Sequence, residues 1–327
     1  MPMRIILVGD VMLGRKVDEW LEKAEFSYPW GDLLPLFRCA DWKGCNLECV
    51  MTDLDQPEDL PPKIFRFSSK LKNIEVLKEA GIRAVSLANN HVLDWGTEAL
   101  AQMLDGLDAL GILHSGAGMN REECRRPAVD YIHGFKIGFL AFSDNEPSWE
   151  ASENKPGIHY VPIEPNDPRA KFLFKLVQKT KSQVDFLIVS AHWGPNWGFE
   201  VPSEHLDFAH RLIKNGADLV YGHSPHVFRA VEVFHGKVVL YSCGDFIDDY
   251  SVDPYFRNDW SFVFLLEIEK AKIASVRLFP VVINNFRAQK AKGREAQEIL
   301  ERMVSLCRAL GTTVYWEKEK AYGLIKV

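Results

Sequence analysis

The sequence predicts a layered α/β fold, in which helices cover buried β-sheets. Short apolar or β-branched runs recur along the chain, and each is bounded by glycine or polar residues, as strands buried on both faces are. Segments with a helical spacing of apolar residues lie between these runs. Several runs also end in carboxylate, amide or imidazole groups, which indicates a functional site at the ends of the strands.

The elements can be placed in chain order from these runs and from the glycines that end helices. A strand at 4–8 is followed by a helix at 16–24, and a second helix at 70–80 ends before Gly81. A strand beginning at Val85 leads into polar residues, and the next helix has its apolar residues on one face and ends at Gly111. The remaining predictions are strands at 64–68, 135–142, 184–191, 218–221 and 238–241, helices at 171–179 and 204–215, and a long loop over the site at 149–169.

The C-terminal part has a different pattern. Strands at 261–269 and 272–279, a helix at 294–310 and a strand at 313–316 are predicted, and such a tail can pair antiparallel with a second sheet. We find no repeat or linker, so residues 1–327 are predicted to form a single domain with 260–327 as its extension.

Composition excludes several classes of protein. The chain has 327 residues, 47% of them hydrophobic, which is enough for a substantial core. A net charge of -6 without a dense basic tract argues against nucleic-acid binding. No apolar run approaches the ~20 residues that span a bilayer, so a cytoplasmic location is expected. The six cysteines form no CxxC pair and are interpreted mainly as reduced core thiols.

Candidate metal ligands follow the predicted strands. They are carboxylates, an amide and imidazoles: Asp10, Glu48, Asn90, His192, His223 and His226. Because the binding crevice of an open α/β sheet lies at the carboxyl ends of its strands, we expect these side chains to converge. Their donor types suit Mn, Zn or Fe, and one or two divalent ions are expected.

Each of these residues also has a structural interpretation. An isolated histidine at a strand end is more often a hydrogen-bonded structural residue than a ligand. Asp10 after a glycine can cap a helix, and Asn90 can hold a left-handed turn. The segment GHSPH at 222–226 is the hardest to explain structurally, because two imidazoles flank a rigid proline.

Chemistry is expected from residues beside the ligands. His91 is the candidate acid that protonates a leaving group, and Asp94 is a second candidate catalytic residue. Candidate substrate-binding residues are Arg15, Asn46, Arg66, Trp193 and Asp245. The expected partner is an anionic small molecule or polymer.

These motifs resemble those of the CapA family of bacterial capsule and poly-γ-glutamate synthesis accessory proteins, which are similar to calcineurin-like metallophosphoesterases. The resemblance is carried by GDVMLGR at 9–15, NLE at 46–48, NNH at 89–91 with Asp94 and Gly96, HWG at 192–194, and GHSPHV at 222–227 with Glu232. It implies a four-layer sandwich of two β-sheets flanked by helices. It also implies a role in capsule or poly-γ-glutamate metabolism.

The chain departs from the related patterns at three places. Met12 stands where the Asp-x-His motif of metallophosphoesterases has its histidine. Residues 195–197 read PNW and lack the glutamate that usually follows HWG. The common Gly-Asn-Phe reads GDF at 244–246 and continues with further carboxylates.

The sequence therefore supports a metal-dependent hydrolase that cleaves a phosphoester. Two alternatives stay open. One is a hydrolase acting on an amide of a γ-glutamyl or peptidoglycan-like polymer. The other is a non-catalytic accessory protein that binds an anionic polymer or a partner enzyme, which the methionine at position 12 keeps open.

Overall fold

A computed structural model describes residues 2–327. The strands are β1 (Met3–Val11), β2 (Trp42–Leu47), β3 (Val50–Met51), β4 (Ser68–Ser69), β5 (Ala84–Ser86), β6 (Leu113–Ser115), β7 (Ala117–Gly118), β8 (Ala128–Ile132), β9 (Phe135–Ser143), β10 (Gly157–Ile158), β11 (Phe186–His192), β12 (Leu219–His223), β13 (Val231–Phe234), β14 (Lys237–Leu240), β15 (Asp245–Ile247), β16 (Trp260–Glu269), β17 (Lys272–Asn284), β18 (Arg287–Lys290), β19 (Tyr315–Glu317) and β20 (Tyr322–Lys326). The α-helices are α1 (Lys16–Leu21), α2 (Leu34–Phe37), α3 (Glu75–Glu79), α4 (Gly96–Ala109), α5 (Arg121–Cys124), α6 (Pro168–Lys181), α7 (Ser203–Lys214) and α8 (Gly293–Ala309). Single 3-10 turns lie at Tyr28–Leu33, Leu71–Ile74, Pro147–Trp149 and Lys318–Lys320.

Two large sheets face each other. The first has the strand order β19-β20-β17-β16-β1-β2-β5-β6, and β15 and β18 pair with β1 and β17. The second has the order β13-β14-β12-β11-β9-β8. In both sheets a central strand that precedes a predicted ligand runs parallel to a neighbour, β1 to β2 and β11 to β12, although β1 is antiparallel to β16 on its other side.

The side chains of β1 show how the layers form. Ile5 and Leu7 point into a core between the two sheets, while Ile6 and Val8 point to the helix-covered face of the first sheet. This alternation is the two-residue period of a strand buried on both faces. Helices α3 and α4 cover the outer face of the first sheet, and α6 and α7 cover the outer face of the second. The predicted α/β sandwich of two sheets flanked by helices is confirmed.

Two predictions about elements are wrong. Residues 64–67 form no strand, because the backbone N–H of Phe67 donates to the Asp94 carboxylate instead of to a ladder, and only Ser68–Ser69 pairs, with β3. The C-terminal tail joins the first sheet rather than the second, since β16 pairs antiparallel with β1. The sequence pattern did not indicate that β1 has an edge available for pairing with β16. The tail also contains two strands that the sequence analysis missed, β18 and β20.

The predicted long loop at 149–169 runs beside the second sheet. Within it, β10 pairs with β7, and the Val161 N–H donates to the Ser143 carbonyl at the end of β9. Across residues 2–327, no helix combines the length and the apolar composition needed to cross a bilayer.

A candidate metal centre between the two sheets

The first sheet contributes a carboxylate and an amide. Asp10 near the end of β1 lies beside Asn46 of β2 in the parallel register, and Asn46 Nδ2 donates to Asp10 Oδ1 at 2.8 Å. Asp10 also pairs with Asp245 of β15, so two buried carboxylates stand on neighbouring strands. The backbone of β1 lies very close to the backbone at Gly244, because a Cβ at Gly9 would lie 1.9 Å from the Gly244 carbonyl oxygen. Only glycine allows this approach.

The second sheet contributes two imidazoles. Parallel pairing of β11 and β12 places His192 opposite His223, and their Nδ1 atoms are 2.8 Å apart. Ser190 Oγ lies 2.7 Å from the other ring nitrogen of His223. Burial lowers the pKa of His192 well below its ordinary value and that of His223 to about 3. Both imidazoles are therefore neutral near pH 7, which is the form that binds metal.

These groups from the two sheets meet at one point. Asp10, His192 and His223 each offer a ligand atom, and all three atoms lie within 4.8 Å of one another. Asn90, in the loop after β5, has its Oδ1 3.0 Å from His192 Nε2. Asp10, Asn90, His192 and His223, four of the six candidate ligands, thus lie close together. They meet between two sheets rather than along one edge.

The surrounding carboxylates fit a cation. Buried oxygens of Asp10, Glu48 and Asp245 have no hydrogen-bond partner within the described chain. Burial, reinforced by the Asp245 charge, raises the pKa of Asp10 to about 7. Burial and the neighbouring Asp10 raise the pKa of Glu48 well above its usual range. Unpaired buried carboxylates are costly, and a divalent cation would offset that cost. The donor set therefore fits a divalent ion.

His226 and Glu48 have neighbours other than the histidine pair. His226 Nδ1 lies 2.9 Å from Asp245 Oδ1. Burial alone would lower the pKa of His226, but the Asp245 charge and hydrogen bond outweigh it and raise the pKa to about 9. Glu48 interacts with Asp10 and lines a cavity at the protein surface. Their assignment as metal ligands stays a prediction.

His91 and Asp94 form a buried pair beside the centre. His91 Nδ1 is 2.6 Å from Asp94 Oδ2, and Asp94 also accepts from the Phe67 N–H at 2.7 Å and from Lys63 Nζ at 2.6 Å. Burial lowers the pKa of His91 to about 4 despite the Asp94 partner. The Phe67 ring stacks on the imidazole with centroids 3.9 Å apart. Asp94 thus fixes the orientation of the His91 ring.

A cavity of about 510 Å³ lies beside the centre, and Asn90 and Glu48 line it. Its walls also include His91, and the cations Arg15 and Lys63. Such a volume is typical of a small-molecule site.

The other predicted substrate-binding residues are distributed differently. Arg15 lines the cavity and also forms an ion pair of 2.7 Å with Asp249. Asn46 and Asp245 lie beside Asp10. Trp193 is fully buried, and its indole N–H donates to the Tyr241 carbonyl, so it belongs to the core of the second sheet. The structure does not bring Trp193 to the cavity.

Arg66 acts on the loop rather than on the cavity. Its guanidinium donates to the carbonyl oxygens of Asp94, at 3.0 Å, and of Pro61. The 61–67 segment is therefore held over the site by Asp94 and by Arg66 together.

The sequence analysis missed Lys63 and Tyr250. Lys63 follows a proline-rich stretch that indicates only an exposed loop. Tyr250 follows two carboxylates and belongs to no recognisable motif. Both residues line the cavity. Met12 stands where the Asp-x-His motif of metallophosphoesterases has its histidine. It is fully buried, and its sulfur accepts the Gly14 N–H at 3.0 Å. Position 12 therefore supplies packing and no imidazole.

The sequence of this chain is similar to those of known bacterial proteins. Residues 4–250 match the family model described as bacterial capsule synthesis protein PGA_cap. A probable polyglutamine synthesis accessory protein of Mycobacterium tuberculosis is 29% identical over 353 aligned residues, which cover 95% of this chain and 92% of that protein. The PGA biosynthesis protein CapA of Bacillus subtilis is 27% identical over 244 residues, covering 74% of this chain and 62% of its own length.

Among solved structures, a hypothetical protein from Thermus thermophilus has a TM-score of 0.45 and 15% sequence identity, covering 88% of this chain and 96% of its own. The family membership is carried by the sequence match, which extends over most of the chain and confirms the resemblance seen in the motifs. The chain belongs to the family of bacterial capsule synthesis proteins of the PGA_cap type.

Proposed function

We propose that this protein is a metal-dependent hydrolase that cleaves a phosphoester in an anionic substrate. The observation that carries the proposal is the meeting of Asp10, His192 and His223 within 4.8 Å, next to a cavity that His91 lines. The combination of one carboxylate with two neutral imidazoles suits Mn, Zn or Fe.

The proposed ligands are Asp10, Asn90, His192 and His223, holding one ion. An imidazole is missing at position 12, where Met12 is buried in the core, so we expect one ion rather than two. A divalent ion bound here would supply Lewis-acid polarisation of a phosphoryl oxygen.

His91 is the proposed proton donor to the leaving group. Asp94 fixes the orientation of its ring through Nδ1. With a pKa of about 4, His91 is neutral in the absence of substrate. A negative phosphate beside the ring would favour the imidazolium and raise that pKa. Binding of an anionic substrate therefore shifts His91 towards the imidazolium form that the reaction needs.

Metal analysis and a substrate panel test this proposal. Protein purified without added metal should contain close to one equivalent of a transition metal. It should hydrolyse phosphomonoesters or phosphodiesters, and chelation should abolish that turnover. His192→Ala should lose most of the metal, whereas the matched variant His114→Asn, at a histidine that pairs with Asp108 instead, should keep it. Metal-free protein with no turnover under Mn, Zn or Fe supplementation would contradict the proposal.

The names of the relatives favour a second candidate. They describe a polyglutamine synthesis accessory protein and a PGA biosynthesis protein, so a γ-glutamyl polymer is the second candidate substrate. Including γ-glutamyl peptides in the same panel separates the two: their hydrolysis without phosphoester turnover would favour an amidase. Metal-free binding of poly-γ-glutamate without turnover would favour a non-catalytic accessory. The cytoplasmic location stays a prediction.

A further inference from the structure

The outer wall of the cavity is made of exposed aromatic and aliphatic side chains. Ile64, Phe65 and Trp197 line it and are 91%, 60% and 41% exposed. Phe67 and Tyr250 also line the cavity, where Phe67 stacks on His91 and the Tyr250 ring lies 5.1 Å from that of His226. Large apolar side chains exposed together beside a polar site indicate a ligand that covers them.

Trp197 is held in place as a platform. The buried Arg229 donates from Nη2 to the Trp197 carbonyl at 3.2 Å and from Nε to the Gly198 carbonyl at 2.9 Å. The indole ring contacts Phe256 and His226, with centroids 5.1 and 5.3 Å away. The backbone and the inner side of the indole are thus fixed, while 41% of the residue stays open to solvent.

The charges of the cavity do not suit a long polyanion. Arg15 and Lys63 line it, but each already contacts a carboxylate, Asp249 at 2.7 Å and Asp94 at 2.6 Å. His226 also lines the cavity, and its Nδ1 lies 2.9 Å from the Asp245 carboxylate. A single anionic group can be accommodated near the centre, whereas a polymer with a charge on every unit would meet the apolar wall.

We propose that the substrate of this site is a phosphate ester of a compound with a planar aromatic ring, and that the ring stacks on Trp197 beside Phe65 while the phosphate reaches the candidate metal centre. The phosphate part of this inference rests on the proposed function. The cavity volume of about 510 Å³ accommodates one ring and one phosphate. An aryl phosphate and a nucleotide both combine a planar ring with a phosphate, so both fit this proposal.

Binding of non-hydrolysable phosphonates tests the ring site separately from catalysis. Calorimetry on the metal-supplemented protein should give a Kd for phenylphosphonate about 5- to 10-fold lower than for methylphosphonate, as one aromatic stacking contact provides. Trp197→Ala should remove this preference and Trp197→Phe should retain part of it. The control Tyr131→Ala, which removes an aromatic residue that is 63% exposed on β8, should leave it unchanged. Equal affinities for the two phosphonates, or no binding of either, would overturn the inference.

Turnover distinguishes the two ring sources and the two proposals. We expect kcat/KM for phenyl phosphate or for a nucleoside 5′-monophosphate to exceed that for glycerol phosphate, with the excess lost in Trp197→Ala. The faster of the two ring substrates identifies the source of the ring. Hydrolysis of all three at equal rates would overturn the ring site and leave the hydrolase standing. A phosphonate preference without any turnover would support the ring site and contradict the hydrolase.

Discussion

Asp94 is the residue through which several parts of the site are linked. Its carboxylate accepts from His91, from Lys63 and from the backbone of Phe67, and all three contacts are 2.7 Å or shorter. Hydrogen bonds to a charged acceptor are stronger than neutral ones. One side chain therefore fixes both the orientation of the proposed acid and the 61–67 segment that forms the cavity wall.

Asp94→Asn should reduce kcat by roughly 10²- to 10⁴-fold, because an amide stabilises the imidazolium poorly. The loss should be smallest for esters with good leaving groups such as p-nitrophenol, which need little proton donation. Steady-state kinetics across leaving groups, with metal content measured in parallel, check this. Asp130→Asn, which removes a carboxylate paired with Arg83 outside the site, is the control. An equal loss for all leaving groups would argue against a general-acid role for His91.

At the level of elements, the register of parallel strands places the candidate ligands. Pairing of β11 with β12 sets His192 opposite His223, and pairing of β1 with β2 sets Asp10 opposite Asn46. Because neighbouring strands are only about 4.8 Å apart, opposite side chains at their ends can share one ion. A slip of one residue would turn each ligand to the other face of its sheet.

Gly222→Ala should test this placement. A Cβ at this position would lie 2.3 Å from the Tyr241 carbonyl oxygen, so β12 must shift against β14 and carry His223 with it. We expect a loss of roughly 1–3 kcal/mol in the free energy of unfolding, together with weaker metal binding.

The control is Gly236→Ala, in the turn between β13 and β14. Its φ of 70° strains an alanine, so this variant should lose stability as well. No atom lies within 4 Å of the added Cβ, so no strand has to shift. Denaturant unfolding and metal titration on both variants check the prediction. If both lose stability and both keep wild-type metal affinity, the register argument for His223 fails.

At the level of the whole molecule, two sheets and their helices bury several neutral histidines. His159 is 1% exposed, and its Nδ1 lies 3.0 Å from the Ala141 carbonyl oxygen of β9. Burial lowers its pKa to about 4 from an ordinary value of 6.5. Between these two pH values the unfolded chain binds a proton that the folded chain does not, so stability must fall as the pH falls through this window.

His159→Asn should make the protein less sensitive to acid. The amide can keep the hydrogen bond to Ala141, but it removes one titrating group, whose largest slope is about 1.4 kcal/mol per pH unit. Chemical unfolding between pH 4 and 6.5 should therefore show a shallower pH dependence in the variant than in the wild type. His133→Asn, at a histidine that is exposed, is the control. Parallel curves for wild type and His159→Asn would contradict the assignment.

Much of the fold and part of the site could be predicted from local patterns. Helix α4 was expected from its apolar face and from Gly111, and strands β1, β9 and β11 from apolar runs, because burial on one or two faces leaves a direct mark on the sequence. The ligand types at Asp10, His192 and His223 were visible for the same reason, since polar residues that end an apolar run stand out.

What the sequence determined by itself was therefore the set of layers, the chemistry available at the strand ends and the family. The tertiary structure decided that the candidate ligands come from two facing sheets, that the C-terminal tail extends the first sheet, and that Trp193 is core while Trp197 faces the cavity. It also decided that Lys63 reaches Asp94 from a loop with no pattern of its own. The physical reason is that periodicity reports whether a side chain is buried. Which distant groups meet depends on sheet pairing and loop paths that no short stretch of sequence specifies.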